Sequence, residues 1–160
     1  MTILFNLLVL ISFFVLMEGV AWFTHKYIMH GFLWPLHHDH HLKEHGGFFE
    51  RNDFFFLLFA VPGIFLMSYG LTHSYSDFRF WMGAGITLYG AAYFFVHDIF
   101  IHQRFPVLKQ LNSTYFRALR KAHKVHHKHL NKEEGECFGM LFIPRRYYEE
   151  AKKSKNELWS

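Results

Sequence analysis

Three stretches of the chain are almost free of polar side chains, and the polar residues that separate them are rich in histidine and basic residues. Ile3 to Phe23 is interrupted only by Asn6, Ser12 and Glu18. Phe54 to Leu71 carries Pro62 and Gly63 at its middle, and Phe80 to Val96 is the third, able to continue past His97 and Asp98 to Ile101. Each approaches the about 20 residues that cross a bilayer core as a helix. The pattern predicts an all-α, polytopic membrane protein with three transmembrane helices. A fourth would form if the region around Leu111 or the run Phe138 to Pro144 dipped into the bilayer. That run, FGMLFIP, is too short to cross and is expected to dock or re-enter near the functional site. Pro62 removes a backbone donor and is expected to kink the second span. Tyr115 to His129 has apolar positions and histidines at three- and four-residue spacing, which predicts a helix. Residues 146–160 read as a polar tail, solvated or loosely attached to the membrane.

Charge supplies the orientation. From Gln103 to Ser160 there are 13 Lys and Arg against 6 acidic residues, and Met1 to Thr24 has no Lys or Arg. Of the 17 basic residues only Arg79 lies between the second and third spans. The positive-inside rule therefore predicts a cytoplasmic C-terminus and an N-terminus outside. It also explains the basic C-terminal region without a nucleic-acid partner. The first span lacks a basic n-region and a good cleavage site, so it is expected to stay in place as an anchor. The single cysteine, Cys137, excludes an intramolecular disulfide and a thiolate zinc finger.

The chemistry lies in the histidines. Ten of fourteen fall into one order used twice. His25-x4-His30 is followed by His37-x2-His40-His41, and His97-x4-His102 by His123-x2-His126-His127. Three-span topology places both sets on one side of the membrane, predicted to be the cytoplasmic face. Five imidazoles per set predict two metal ions, since imidazole suits Fe, Zn, Cu and Ni. Within a triplet, residues at i, i+3 and i+4 share one helix face and suit convergence on metal. Residues five apart point away from each other on an α-helix. Each His-x4-His pair must then be divided between two metals or sit where the helix has unwound.

Other residues are weighed around this set. Asp39 and Asp98 are candidates to orient ligand rings through the second ring nitrogen. Glu18, an acid inside a span seven residues before His25, is expected to face the site or a polar cavity, anchoring a histidine or carrying protons. Tyr93, one turn before His97, is a candidate for the same role, and His129 for an outer contact. His38 falls on another face of its helix, His45 in a loop, and His73 on the opposite side of the membrane. The Phe-rich stripes of the second and third spans are expected to face lipid or core.

The segments EGVAWFTHKYIMHGFLWPLHHDHH, HDIFIHQRFP, RKAHKVHHKH and GECFGMLFIP resemble the fatty acid hydroxylase superfamily of non-haem di-iron enzymes, and within it the bacterial carotenoid hydroxylases. They span Glu18 to Pro144. The resemblance implies two non-haem irons with O2 as co-substrate, and all ten motif histidines as ligands. It further implies electrons from a ferredoxin-type donor and a lipophilic carotenoid substrate. The reaction it implies is hydroxylation at C3 of β-ionone rings, from β-carotene through β-cryptoxanthin to zeaxanthin. The chain carries no flavin, nicotinamide or iron–sulfur motif of its own.

The residues alone also fit a related membrane hydroxylase or desaturase acting on a fatty acyl, sterol or ketolated carotenoid substrate. A transmembrane bis-histidine haem protein would place its histidines inside the bilayer. A metal transporter would place polar ligands at the midplane, where only Glu18 comes near.

Overall fold

The computed structural model describes residues 2–42, 47–105, 107 and 111–157, and the expectation for His45 lies outside them. The architecture is all-α. Helix α1 (Ile3–Phe23) runs without interruption into a π-helical segment, Thr24–Phe32, which breaks at Gly31. Helix α2 (Trp34–Leu42) follows directly. Helices α3 (Asp53–Leu71) and α4 (Phe78–Phe94) form a hairpin, and α4 passes into a second π-helical segment, Phe95–Ile101. Helices α5 (Thr114–His126) and α6 (Arg145–Glu157) complete the chain.

Three continuous helices are long and apolar enough to cross a membrane: Ile3–Phe32, Asp53–Leu71 and Phe78–Ile101. Their outer faces are apolar, with Leu4 65% and Phe65 64% exposed, as suits contact with lipid. Among the described residues no fourth such helix occurs. Residues 138–144 form a non-helical strap with Phe138 and Met140 buried, the docked alternative expected for this run.

Glycines set how closely the spans approach. A Cβ on Gly83 would lie 2.5 Å from the Gly63 carbonyl oxygen, and one on Gly85 2.5 Å from that of Leu10. Helix α4 therefore meets α3 and α1 backbone to backbone, the small-residue packing that membrane helices use. At the end remote from the histidines, the Asn6 amide donates to the Ser76 carbonyl at 3.4 Å, tying α1 to the α3–α4 loop.

The expected polar tail is corrected: it forms most of α6. Tyr147 and Ala151 are buried against Ala118 and Ala122 of α5. Spaced i and i+4, they make a short apolar stripe inside a charged sequence. Helix α5 ends at His126, one turn short of the predicted boundary.

Candidate metal centre

The ten motif histidines meet where the first and third spans end. His25, His30, His37, His41 and His126 bring ligand nitrogens within 4.8 Å of one another, and so do His40, His97, His102 and His123. The clusters abut, with the His37 and His40 rings 5.4 Å apart and those of His123 and His126 5.5 Å apart. His127 lies between them, stacked on His41 at 4.3 Å and 4.5 Å from His123. His73 is exposed at the far end of the bundle, bonded to Thr72 and to the Tyr69 carbonyl. His38 and His129 lie outside both clusters.

The π-helical segments explain the five-residue spacing. Their hydrogen bonds run from i to i+5, so residues five apart stand one above the other. The His102 N–H donates to the His97 carbonyl at 2.9 Å, an i+5 bond between the two histidines themselves. Each His-x4-His pair thus serves one cluster. Of the two alternatives that the spacing leaves open, the structure shows the departure from α-helix rather than division of a pair, because the helix widens where an α-helix would turn one ring away. Gln103 then closes the second segment in left-handed backbone, φ 52°.

The triplets behave in the opposite way. His37 and His41 join the first cluster while His40 joins the second; His126 joins the first and His123 the second. Residues i+3 and i+4 differ by about 100° around the axis, which aims adjacent histidines at two neighbouring points. The expected convergence of each triplet on one point is therefore corrected: α2 and α5 straddle both clusters.

In the first cluster four of the five rings are fixed by neutral acceptors. The Nδ1–H groups of His25, His30 and His126 donate to the carbonyl oxygens of Phe138 (2.9 Å), Leu130 (2.9 Å) and Glu136 (3.0 Å). That of His37 donates to Asn52 Oδ1 at 2.7 Å. These bonds place the ring hydrogen on Nδ1 and leave a lone pair on each Nε2. Yet the Nε2 atoms of His25 and His37 lie 3.0 Å apart, and those of His30 and His126 3.3 Å apart. Facing lone pairs at such distances repel unless a cation lies between them, and two nitrogens at about 2.1 Å from one ion sit about this far apart. The residues present therefore fit a metal. Rings of Trp34 and Phe138 wall this cluster, 5.2 Å from His30 on either side.

The second cluster is oriented by carboxylates. His40 Nδ1 bonds Glu50 Oε2 at 2.6 Å, and His97 Nδ1 bonds Asp98 Oδ2 at 3.2 Å. His40 Nε2 is buried with no hydrogen-bond partner, as a ligand awaiting a cation would be. Arg104 joins the carboxylates, reaching Glu50 (3.3 Å), Asp53 (2.8 Å) and Asp98 (3.3 Å). Asp98 stands where sequence reading places an orienting acid. Asp39 does not; it accepts from the Arg51 backbone N–H at 2.8 Å. Glu50 and Asn52 supply those contacts, and no spacing in the sequence marks them. Tyr93 lies against His97, ring centres 5.1 Å apart.

Burial keeps the imidazoles neutral and ready to bind. It is the main cause that lowers His37 to about 3 and His126 to about 2, and it drives His40 and His123 well below the ordinary histidine range. Neighbouring histidines add to each shift.

Glu18 contacts no histidine. Its Oε1 accepts the consecutive backbone N–H groups of Met140 (2.9 Å), Leu141 (2.8 Å) and Phe142 (3.1 Å), and its Oε2 accepts the Tyr89 hydroxyl at 2.7 Å. A Cβ on Gly139 would come 2.6 Å from that Oε1, so the strap needs glycine there. The strap and the two residues leading into it carry the carbonyls of Phe138 and Glu136 that hold His25 and His126. Between them Cys137 adopts left-handed backbone, φ 59°.

A cavity of about 990 Å³ lies between α1, α3 and α4 on the histidine side of the Gly63–Gly83 contact. Phe54, Phe56, Phe59 and Phe94 line it, so these rings do more than face lipid or core. Its polar end is bordered by Glu50, Tyr93, Asp98 and Arg104.

The sequence profile of the fatty acid hydroxylase family matches residues 10–144. A beta-carotene hydroxylase of Pseudescherichia vulneris is 40% identical over 139 residues, 87% of this chain and 77% of that protein. One from Pantoea ananas is 39% identical, covering 88% of this chain and 79% of its own. The chloroplastic beta-carotene hydroxylase 1 of Capsicum annuum is 39% identical over 83% of this chain, which spans 42% of that longer protein. No solved structure matches the chain. With most of its length under the profile and every motif histidine in one of two adjoining clusters or between them, the chain belongs to the fatty acid hydroxylase family.

Proposed function

We propose that this protein is an O2-dependent membrane monooxygenase with two non-haem irons that hydroxylates C3 of β-ionone rings, taking β-carotene through β-cryptoxanthin to zeaxanthin. The observation that carries the reading is the pair of abutting, buried histidine clusters in a chain 35–41% identical to proteins named beta-carotene hydroxylases.

His25, His30, His37, His41 and His126 would hold one iron and His40, His97, His102 and His123 the other, with His127 between them. Iron so held supplies the O2 activation and oxidising power that an unactivated C–H bond requires. The chain's own residues do the rest. Acceptors at the Nδ1 atoms of His25, His30, His37, His40, His97 and His126 fix the tautomer and direction of those rings. Burial under Trp34, Phe138 and the strap excludes water, which protects a reactive site from side reactions. Glu50 and Asp98 offset positive charge beside the second cluster.

Electrons come from a separate ferredoxin-type protein in this reading. The histidine end and the C-terminus face the cytoplasm, on the side that carries 16 of the 17 basic residues.

Pigment analysis tests the proposal. Expressed in bacteria that accumulate β-carotene, the protein should yield zeaxanthin, with β-cryptoxanthin as intermediate. Membrane insertion and bound iron without either product would overturn the carotenoid reading. Hydroxylated acyl chains in their place would favour a fatty acyl substrate.

A further inference from the structure

We infer that the cavity between α1, α3 and α4 is the binding site for one end of a long conjugated hydrocarbon, with the terminal ring at the Tyr93–Asp98 end beside the second cluster. This rests on the proposed function for the chemistry, but its site and orientation come from the cavity itself.

Along α4 and the π-helical segment that continues it the lining runs from Ile86 to Asp98, twelve positions, or roughly 18 Å at the helical rise. That is about half of a bilayer core of about 30 Å. A ligand held there lies along the spans, reaches the middle of the membrane and enters from lipid. At about 990 Å³ the cavity stands at the upper end of the range for small-molecule sites, with room for a ring as well as a chain. Phe54, Phe56, Phe59, Phe94 and Tyr89 offer aromatic faces to a flat conjugated chain, contact that a saturated acyl chain exploits less well.

Polarity fixes the direction. Apart from the Thr87 hydroxyl at the opposite end, which donates to Met67 Sδ, and the Tyr89 hydroxyl, which is taken up by Glu18, the polar groups of the lining gather at one end. There Tyr93 and Asp98 border the cavity and also touch His97. Glu50 borders it and holds His40. Both histidines belong to the second cluster, which is therefore the one that faces the ring.

Gly90 provides the test. It lines the cavity, and a Cβ built there meets nothing within 4 Å. A larger side chain at Gly90 fills ligand space without disturbing helix contacts. Gly19 on α1 also has nothing within 4 Å but lies outside the cavity lining, which makes it a matched control.

The experiment measures two quantities for wild type, Gly90→Phe and Gly19→Phe, with iron content determined on each detergent-purified protein. The first is β-carotene bound per chain after loading; the second is its turnover in cells. Gly90→Phe should fall by about tenfold or more in both while keeping its iron, and Gly19→Phe should match wild type. Undiminished carotenoid binding by Gly90→Phe would overturn the cavity assignment, as would a wild-type chain that binds no carotenoid or a cavity that retains acyl lipid against β-carotene. Binding that Gly90→Phe abolishes, in a wild type that leaves β-carotene unoxidised, would uphold the cavity and refute the proposed reaction.

Discussion

The Glu18 carboxylate is buried in the first span, seven residues from His25, and spends its bonds on a strap more than 120 residues away in sequence. It acts on the metal centre through backbone: carboxylate to strap, strap carbonyls to His25 and His126. Replacing it with glutamine weakens three charge-assisted bonds and should cost about 2–3 kcal/mol. Glu18→Gln should unfold at lower temperature and lose iron on dialysis faster than wild type, and Gly139→Ala should do the same by displacing the carboxylate. Iron retention equal to wild type in both variants would remove the strap from the account. An acid in an apolar run is visible in sequence as something that must be satisfied. Its partners are not, because backbone N–H groups of a loop leave no residue signature. Glu50 and Asn52 were hidden for a similar reason: they are ordinary polar residues in a loop, and only folding brings them to His40 and His37. Asp39, adjacent to His40 in sequence, accepts from the Arg51 backbone N–H instead.

At the scale of the element, the two histidine motifs have complementary geometry. The π-helical segments align residues five apart on one cluster, while the α-helical triplets distribute their rings over two. The triplet spacing was readable as a helix face, yet the assignment to two points depends on where the spans place the facing histidines. The π-helical widening had no separate signal beyond the five-residue spacing itself. Helix α6 escaped because two apolar positions, Tyr147 and Ala151, carry its docking within a charged sequence. The split of the triplets has a direct consequence. His37→Ala and His123→Ala should each retain about one iron of two, from different clusters, with turnover lost in both. His73→Ala, remote from either cluster, should keep both irons and near-normal turnover. Loss of both irons from either cluster variant would mean that the clusters bind metal only as a unit.

At the scale of the molecule, three spans were legible from hydropathy alone, because a bilayer demands about 20 apolar residues whatever the fold. Their mutual packing was not, since it rests on backbone contacts at Gly63, Gly83 and Gly85 that look like any glycines in sequence. The predicted orientation can be tested by labelling. The native thiol of Cys137 is half-buried and pushed up to about 11 by burial, so it reacts slowly. A cysteine introduced by Ser74→Cys should be modified by an impermeant reagent in intact cells, and one introduced by Lys152→Cys only after permeabilisation. The reverse pattern would invert the topology and place the histidines outside.

In the proposed enzyme the two adjoining clusters would each hold one iron in different surroundings, the first oriented by carbonyl and amide oxygens, the second by Glu50 and Asp98. Mössbauer spectroscopy of the purified chain, loaded anaerobically with isotopically enriched Fe(II) and paired with elemental analysis, measures this directly. Two irons per chain and two quadrupole doublets of equal area are expected. One iron per chain, or a second iron removed by mild chelation without loss of turnover, would contradict the two-iron centre.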